Sequence, residues 1–304
     1  MCVALVRSAQ EWTEHAHAKA ISTLPVIEII KLGDAPPEPL PSDGQEPLSN
    51  VNVLDLTKVI AGPVCGRTLA SYGANVMRVG AKHLPFIEPL VIDTGLGKKS
   101  TFLDLRDPTD NDKLKLLLRD ADIFVQGYRP GAIAKHGFGP EEVAAKRPGI
   151  VYVNLSAYGH VGPWSSWRGF DSLVQSATGI VHEGMIDAGA DRPRPLPCQA
   201  LDHATGYLAA FGAMIALKRR VEEGGSWMVR VSLAQTGKWF NDLGRVEGLE
   251  TKKPTRTEIA GLLQKHDSPF GIIEHVRPPE TFSETQPYWS SGSVPLGSNE
   301  PRWN

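Results

Sequence analysis

Short apolar runs alternate with stretches of helical character along the middle of this 304-residue sequence. The runs at 51–56, 74–79, 123–126, 150–156 and 227–233 have the apolar, β-branched character of buried parallel strands. Helices are predicted at 61–72, 114–120, 141–146 and about 204–220. Strands that alternate with helices through short connections predict an α/β protein, with a Rossmann-like open parallel sheet flanked by helices.

The two ends of the sequence differ from this middle part. Residues 24–34 are rich in β-branched side chains and predict a further strand after an N-terminal helix. Residues 35–50 contain five prolines among polar residues, which is typical of a linker. Beyond about residue 251 the chain is rich in Pro, Ser and Thr, so we expect irregular structure there apart from a helix at 257–265.

Composition narrows the class of protein. A formal net charge of -2 gives no basic footprint for nucleic acid. The three cysteines lack metal-ligand spacing and favour a reducing compartment. No run of about 18 apolar residues indicates a membrane span, and neither a secretory signal nor a C-terminal peroxisomal signal is recognisable. We therefore expect a cytoplasmic protein without a metal, flavin or nicotinamide site.

Polar or glycine-rich turns follow several of the predicted strands. They lie at 57–62, 80–83, 127–131, 156–162 and 202–206. In open parallel sheets ligands bind beyond the carboxyl ends of the strands, and backbone amides at such turns can hold a phosphate or carboxylate. Each turn taken alone is equally typical of an ordinary strand-to-helix connection.

Asp202 stands just before the predicted long helix, in the sequence Ala-Leu-Asp-His-Ala-Thr-Gly. As an N-cap it would stabilise that helix by about 1 kcal/mol. As a nucleophile it could attack an acyl-CoA thioester if it were buried beside an oxyanion stabiliser. The residue types alone favour the cap.

A series of segments in fixed order gives this chain a family resemblance. They are 53–63, 73–79, 97–105, 122–131, 158–163, 168–171, 200–206, 225–233 and a closing piece at 283–297. Together they resemble class III CoA-transferases, a family that includes formyl-CoA and carnitinyl-CoA transferases and α-methylacyl-CoA racemase. Each segment is weak alone, but their shared order over about 200 residues is specific.

The resemblance implies a function and a site. Asp202 matches the family's catalytic aspartate, which forms acyl-aspartyl anhydride and aspartyl-CoA intermediates. Positions that match the CoA site are Ile60, Ala61, Lys98, Gly127, Tyr128 and Arg129. The cations expected against the CoA phosphates are Arg78, Lys82, Lys98, Lys99, Arg129 and Lys135, with Lys98 first. The implied partners are an acyl-CoA and a small carboxylic acid, with coenzyme A as part of the substrate and no tightly bound cofactor.

Two other functions stay open. The racemase branch carries a histidine before an aspartate, whereas this chain has Phe170 before Asp171, and phenylalanine cannot transfer a proton. His160, His182 and His203 remain available for such chemistry. The third possibility is a CoA-binding subunit without catalytic activity.

The sequence also departs from the family pattern. The segment at 81–90 is shorter than usual, and about 50 residues after 233 are too few for the family's small domain. Residues 11–40 resemble the end of a preceding family unit, so the chain is expected to be the second unit of a duplicated enzyme or a truncated product. We predict an N-terminal arm and linker (1–50), a Rossmann-like domain (51–240) and a reduced C-terminal remnant (241–304). Because family members form interlocked dimers, we expect a homodimer or pairing with a related unit.

Overall fold

A single mixed sheet organises the protein, which we describe from a computed structural model over residues 2–41, 45–246 and 252–303. Residues 42–44 of the predicted linker and 247–251 of the predicted C-terminal remnant lie outside the described residues. The strands are β1 (Glu28–Gly33), β2 (Asn52–Leu56), β3 (Asn75–Gly80), β4 (Lys98–Phe102), β5 (Ile123–Gln126), β6 (Val151–Ser156) and β7 (Ser226–Ser232). Their order is β1-β7-β6-β5-β2-β3-β4, and only β1 in this sheet runs antiparallel to its neighbour. The predicted α/β fold is confirmed.

Helices cover both faces of the sheet. The helices of the described residues are α1 (Ala9–Glu14), α2 (Ala16–Ile21), α3 (Ala61–Ser71), α4 (Glu88–Thr94), α5 (Pro108–Arg119), α6 (Pro140–Lys146), α7 (Asp171–Ala177), α8 (Ile180–Asp187), α9 (Ala200–Glu223), α10 (Leu233–Asp242) and α11 (Arg256–Ile259). Successive strand residues point to opposite faces, so Val53 packs in the core under α3 and α9 while Leu54 packs in the core under α5 and α6. Both strand residues are fully buried, which explains the continuous apolar run.

The N-terminal segment belongs to the same fold. Strand β1 pairs with β7 at the edge of the sheet, with Glu28 opposite Arg230. Trp12 of α1 packs against Trp164, with ring centroids 5.7 Å apart. Whether this segment derives from a preceding family unit remains a prediction.

Three predictions of local structure are wrong. The long helix begins at Ala200, so Asp202 lies in its first turn and not before it; Gln199 occupies the N-cap position. The turn expected at 202–206 is therefore helical. The helix expected at 257–265 ends early, because α11 passes through a 3₁₀ turn (Ala260–Leu262) into β8 (Leu263–His266), which pairs with β9 (Ile273–Val276).

Helix α9 is long and apolar enough to cross a membrane by length and composition. In the fold it packs between α3 and β7, and Ala209, Ala213 and Ala216 on it are fully buried. These contacts give α9 the role of a core helix.

Candidate active site

The turn that follows β2 forms one wall of a cavity at the carboxyl edge of the sheet. On β2, Asp55 Oδ1 accepts hydrogen bonds from the Thr57 amide (3.1 Å) and the Thr57 hydroxyl. Its Oδ2 lies 2.8 Å from Lys98 Nζ, which also donates to the Pro63 carbonyl at 2.6 Å. This buried network joins β2, β4 and the first turn of α3, so it fixes the shape of residues 57–62.

The same turn contains a strained residue. Val59 has φ +73°, a left-handed conformation that β-branched side chains rarely adopt. Such a conformation costs about 1–3 kcal/mol and persists only where the surrounding structure holds it. The hydrogen bonds of Asp55 to Thr57 before Val59 and of Lys98 to the Pro63 carbonyl after it provide that restraint. The path of the backbone past the cavity is therefore set by tertiary contacts.

The structure places Lys98, the cation predicted first for the CoA phosphates, inside the core. Its side chain is only 2% exposed and is paired with Asp55. Burial lowers the pKa of Lys98, and the Asp55 carboxylate opposes that shift. Arg78 is also largely enclosed; burial lowers its pKa, while the Asp55 charge acts in the opposite direction. Neither side chain lines the cavity.

Close helix packing brings α9 to this turn. A Cβ atom at Gly206 would lie 2.5 Å from the Ala61 carbonyl oxygen and 2.7 Å from Val64. A Cβ atom at Gly62 would lie 2.3 Å from Thr57 Cβ. These contacts leave room for hydrogen only, so Gly206 lets α9 pack closely against α3. Asp202 is thereby placed beside the Ile60–Gly62 backbone.

Asp202 is a buried carboxyl group with an unusual acidity. It is 7% exposed, and burial together with the charge of Asp171 raises its pKa to about 7. The positive end of the α9 dipole would favour ionisation, but the desolvation effect is larger here. Near neutral pH the group is thus divided between carboxylic acid and carboxylate.

Asp171 supports this arrangement and was missed as a functional residue by the sequence reasoning. Its Oδ2 accepts the Asp202 backbone N–H at 3.0 Å, and its Oδ1 accepts a hydrogen bond from the Gln175 amide nitrogen. Asp171 therefore anchors the first turn of α9 from the start of α7, while its charge raises the pKa of Asp202. Its position after Phe170, in the segment 168–171 that matches the family, was the sequence signal for this residue.

The cavity itself, named the central pocket, has a volume of about 380 Å³. It brings together Asp202 and five of the predicted CoA-site residues: Ile60, Ala61, Gly127, Tyr128 and Arg129. Phe170 and Trp167 line its outer part. The sequence therefore located the two turns that surround the carboxylate.

Lys135 lies in an adjoining cavity. This Lys135 pocket, about 280 Å³, is lined by Lys135 and by the chain segments after β3 and β4, including Leu103 and Asp104. The two cavities share Leu84, Tyr128, Arg129 and Ala132. Arg129 is exposed, its backbone carbonyl accepts a hydrogen bond from the Ala132 N–H, and its side chain has no hydrogen-bond or ion-pair partner among the residues that the structure describes. A continuous groove thus leads from Asp202 past Arg129 to Lys135.

The three candidate histidines lie elsewhere. His203 lines a separate cavity of about 630 Å³ with Arg67 and Trp289. His160 lines another cavity, beside Glu28. Within the described ranges no histidine lines the central pocket. No imidazole faces Asp202 from the position that Phe170 occupies.

The chain belongs to CoA-transferase family III, whose model matches residues 48–272. It is 32% identical over 278 residues to acetyl-coenzyme A transferase nodX of Hypoxylon pulicicidum, covering 87% of this chain and 46% of that protein. It is also 32% identical over 183 residues to succinyl-CoA:glutarate CoA-transferase of Homo sapiens, covering 56% of this chain and 41% of that protein. The chain spans about half the length of the curated relatives it matches.

Solved structures show the same fold. The crystal structure of Rv3272 from Mycobacterium tuberculosis matches with a TM-score of 0.72 at 21% identity, covering 83% of this chain and 97% of that chain. A CAIB/BAIF family protein from Brucella suis matches with a TM-score of 0.56 at 23% identity, covering 75% of this chain and 65% of that chain.

Proposed function

We propose that the protein transfers CoA between an acyl-CoA and a carboxylic acid, with Asp202 as the covalent nucleophile. The observation that carries the proposal is the buried carboxyl group of Asp202, which lines the central pocket and has a pKa of about 7. The chain around it matches the model of CoA-transferase family III. Relatives named acetyl-coenzyme A transferase and succinyl-CoA:glutarate CoA-transferase support this reaction class.

The proposed reaction consists of four acyl-transfer steps. Ionised Asp202 attacks the thioester carbonyl, the C–S bond breaks, and CoA leaves as thiolate from a mixed anhydride. The thiolate attacks the Asp202 acyl carbon, which releases the first acid and forms an aspartyl-CoA thioester. The acceptor carboxylate attacks that thioester and forms a second anhydride, again releasing thiolate. The thiolate then attacks the acceptor acyl carbon, giving the new acyl-CoA and free Asp202.

The start of α3 is suited to stabilise the oxyanions of these steps. The first backbone N–H groups of a helix have no intrahelical partner, and Ala61 and Gly62 present theirs beside the central pocket. Preorganised donors of this kind stabilise developing negative charge in acyl transfer. The strained turn at Val59 sets where these amides point.

Trapping the intermediates tests the proposal directly. The full chain is incubated with acyl-CoA and then with hydroxylamine, and the Asp202 peptide is examined by mass spectrometry. We expect an Asp202 hydroxamate that forms only when acyl-CoA is present. CoA binding without any modification of Asp202 would instead indicate a CoA-binding subunit without catalytic activity. Exchange of deuterium into the α-carbon of a 2-methylacyl-CoA without CoA transfer would indicate a racemase.

Arg129 is the cation best placed for the CoA pyrophosphate, because it lies where the central and Lys135 pockets meet. We expect Arg129→Gln to raise the KM for acyl-CoA about 10- to 100-fold with a smaller change in kcat, since a charge-assisted hydrogen bond contributes about 1.5–3 kcal/mol. Steady-state kinetics with Arg119→Gln as the matched surface control measures this. An unchanged KM would show that the phosphates bind elsewhere.

A further inference from the structure

The cavity that His160 lines also adjoins the central pocket. This Arg230 pocket, about 270 Å³, lies at the carboxyl ends of β5, β6 and β7 and beside the first residue of β1. Residues that line both this cavity and the central pocket are Tyr128, Arg129, Pro130, Ser156 and Ser165. A small molecule held in the Arg230 pocket would therefore lie in a cavity that adjoins the one lined by Asp202.

The Arg230 pocket gathers buried polar atoms without hydrogen-bond partners. Seven buried side-chain nitrogen or oxygen atoms of the described residues lack a hydrogen-bond partner, and three of them, Glu28 Oε2, Arg230 Nε and Gln235 Oε1, belong to residues that line this one cavity. Gln235 is only 4% exposed, and its amide nitrogen donates to the Ile21 and Leu24 carbonyls. These bonds fix the side chain and leave its oxygen as a free acceptor. Unpaired buried polar groups are rare in folded proteins because each is costly.

Glu28 and Arg230 form an ion pair without a hydrogen bond between them. Glu28 and Arg230 lie directly opposite each other on paired strands, yet Glu28 Oε2 is 3.7 Å from the nearest Arg230 nitrogen. The same oxygen is 3.5 Å from His160 Nδ1. Burial, followed by the Arg230 charge, lowers the pKa of His160, whereas the Glu28 charge opposes that shift. The antiparallel register thus holds Glu28 Oε2 and Arg230 Nε beside each other at this cavity, without a hydrogen bond between them.

We infer that the Arg230 pocket binds a small hydroxylated monocarboxylic acid as the acceptor of CoA. A hydroxyl group both donates and accepts, so one hydroxyl can donate to Glu28 and accept from Arg230 Nε. A second hydroxyl can donate to Gln235 Oε1. The charges of Glu28 and Arg230 offset each other, so the pocket offers no cation for a second carboxylate, and the single carboxylate can extend along the shared Ser156 and Ser165 wall toward the central pocket. This inference rests on the proposed function for the role of acceptor, but the binding itself does not.

Glycerate and propionate provide a matched pair of probes, since they share a carbon skeleton and differ only in hydroxyl groups. We measure the binding of each to the full chain by calorimetry without acyl-CoA, in the wild type and in Asp202→Asn. We expect glycerate to bind at least about tenfold more tightly, because propionate leaves the polar atoms of the pocket unpaired. Equal affinity of the two acids in both proteins would overturn the inference.

The variant Glu28→Met removes the acceptor at nearly constant length. We expect it to reduce the preference for glycerate to within about threefold of propionate, whereas Lys31→Gln on the same strand keeps the full preference. Arg230→Met serves as a second variant with the same expectation, should Glu28→Met fail to fold. An undiminished preference in a folded variant would contradict the site. Glycerate binding without modification of Asp202 would contradict the proposed function but not this inference. Modification of Asp202 without a preference for glycerate would contradict this inference but not the proposed function.

Discussion

Replacing Asp202 by Asn is expected to reduce CoA transfer at least about a thousandfold while making the folded protein more stable above pH 7. The activity falls because an amide cannot form the anhydride and thioester intermediates. Stability rises because a buried carboxyl whose pKa is about 7, against an ordinary 3.8, disfavours folding once it must ionise. Transfer assays and thermal melts of the two proteins at pH 8 measure both effects.

The sign and size of the stability change follow from proton linkage. Between pH 4 and 7 the folded state binds more protons than the unfolded state, so stability falls as pH rises through this window. A difference of about three pKa units corresponds to at most about 4 kcal/mol, fully expressed above pH 7. At pH 4 the two proteins should melt alike. A variant that is less stable at pH 8 would show that Asp202 is a structural residue.

The activity of the wild type should depend on the same proton. Because the carboxylate is the nucleophile, kcat/KM for acyl-CoA is expected to rise with pH and reach a plateau above about 7. A pH-rate profile at saturating acceptor acid measures this. A profile that is flat from pH 5 to 8 would mean that Asp202 ionises at its ordinary value and that the barrier to attack lies elsewhere.

The strands β2, β3, β5, β6 and β7 of the central sheet could be predicted because each one is a largely buried apolar run. Strand β4 escaped this reasoning, since Lys-Lys-Ser-Thr-Phe is polar in sequence although Lys98, Ser100 and Thr101 are buried. Polar strand residues of this kind are buried because they have partners, such as Asp55 for Lys98 and Gly297 N–H for Ser100. Those partners are distant in sequence, so no local pattern reveals them.

The candidate site shows the same limit. The family segments in their order predicted Asp202 and the turns at Ile60 and Gly127, and the structure brings these residues to one cavity. The raised pKa of Asp202 could not be predicted, since it depends on enclosure by α3 and on the charge of Asp171 from another helix. Lys98 matched a family position for CoA, but its burial in the core depends on tertiary contacts such as the ion pair with Asp55. The position of Glu28 opposite Arg230 could not be predicted, because it depends on the pairing of β1 with β7.

Lys98→Met is expected to destabilise the protein by about 3–5 kcal/mol and to reduce transfer activity through loss of folded protein and of the turn geometry. Removing the ammonium leaves the fully buried Asp55 carboxylate without its counter-charge, and that unpaired charge is the source of the cost. The Pro63 carbonyl also loses its donor at the first turn of α3. Chemical denaturation with the transfer assay, at a temperature where the variant stays folded, measures both effects.

The neighbouring residue gives a matched control for this prediction. Lys99→Met changes the same residue type one position along β4, where the side chain is partly exposed, and we expect a change within about 0.5 kcal/mol. The double variant Asp55→Asn with Lys98→Met should recover part of the lost stability, because it removes the unpaired charge and keeps an acceptor for Thr57. A folded Lys98→Met protein of normal stability with a strongly raised KM for acyl-CoA would instead mean that Lys98 contacts the coenzyme. The network that shapes the Thr57–Gly62 turn would then have to be held by Asp55 and Thr57 alone.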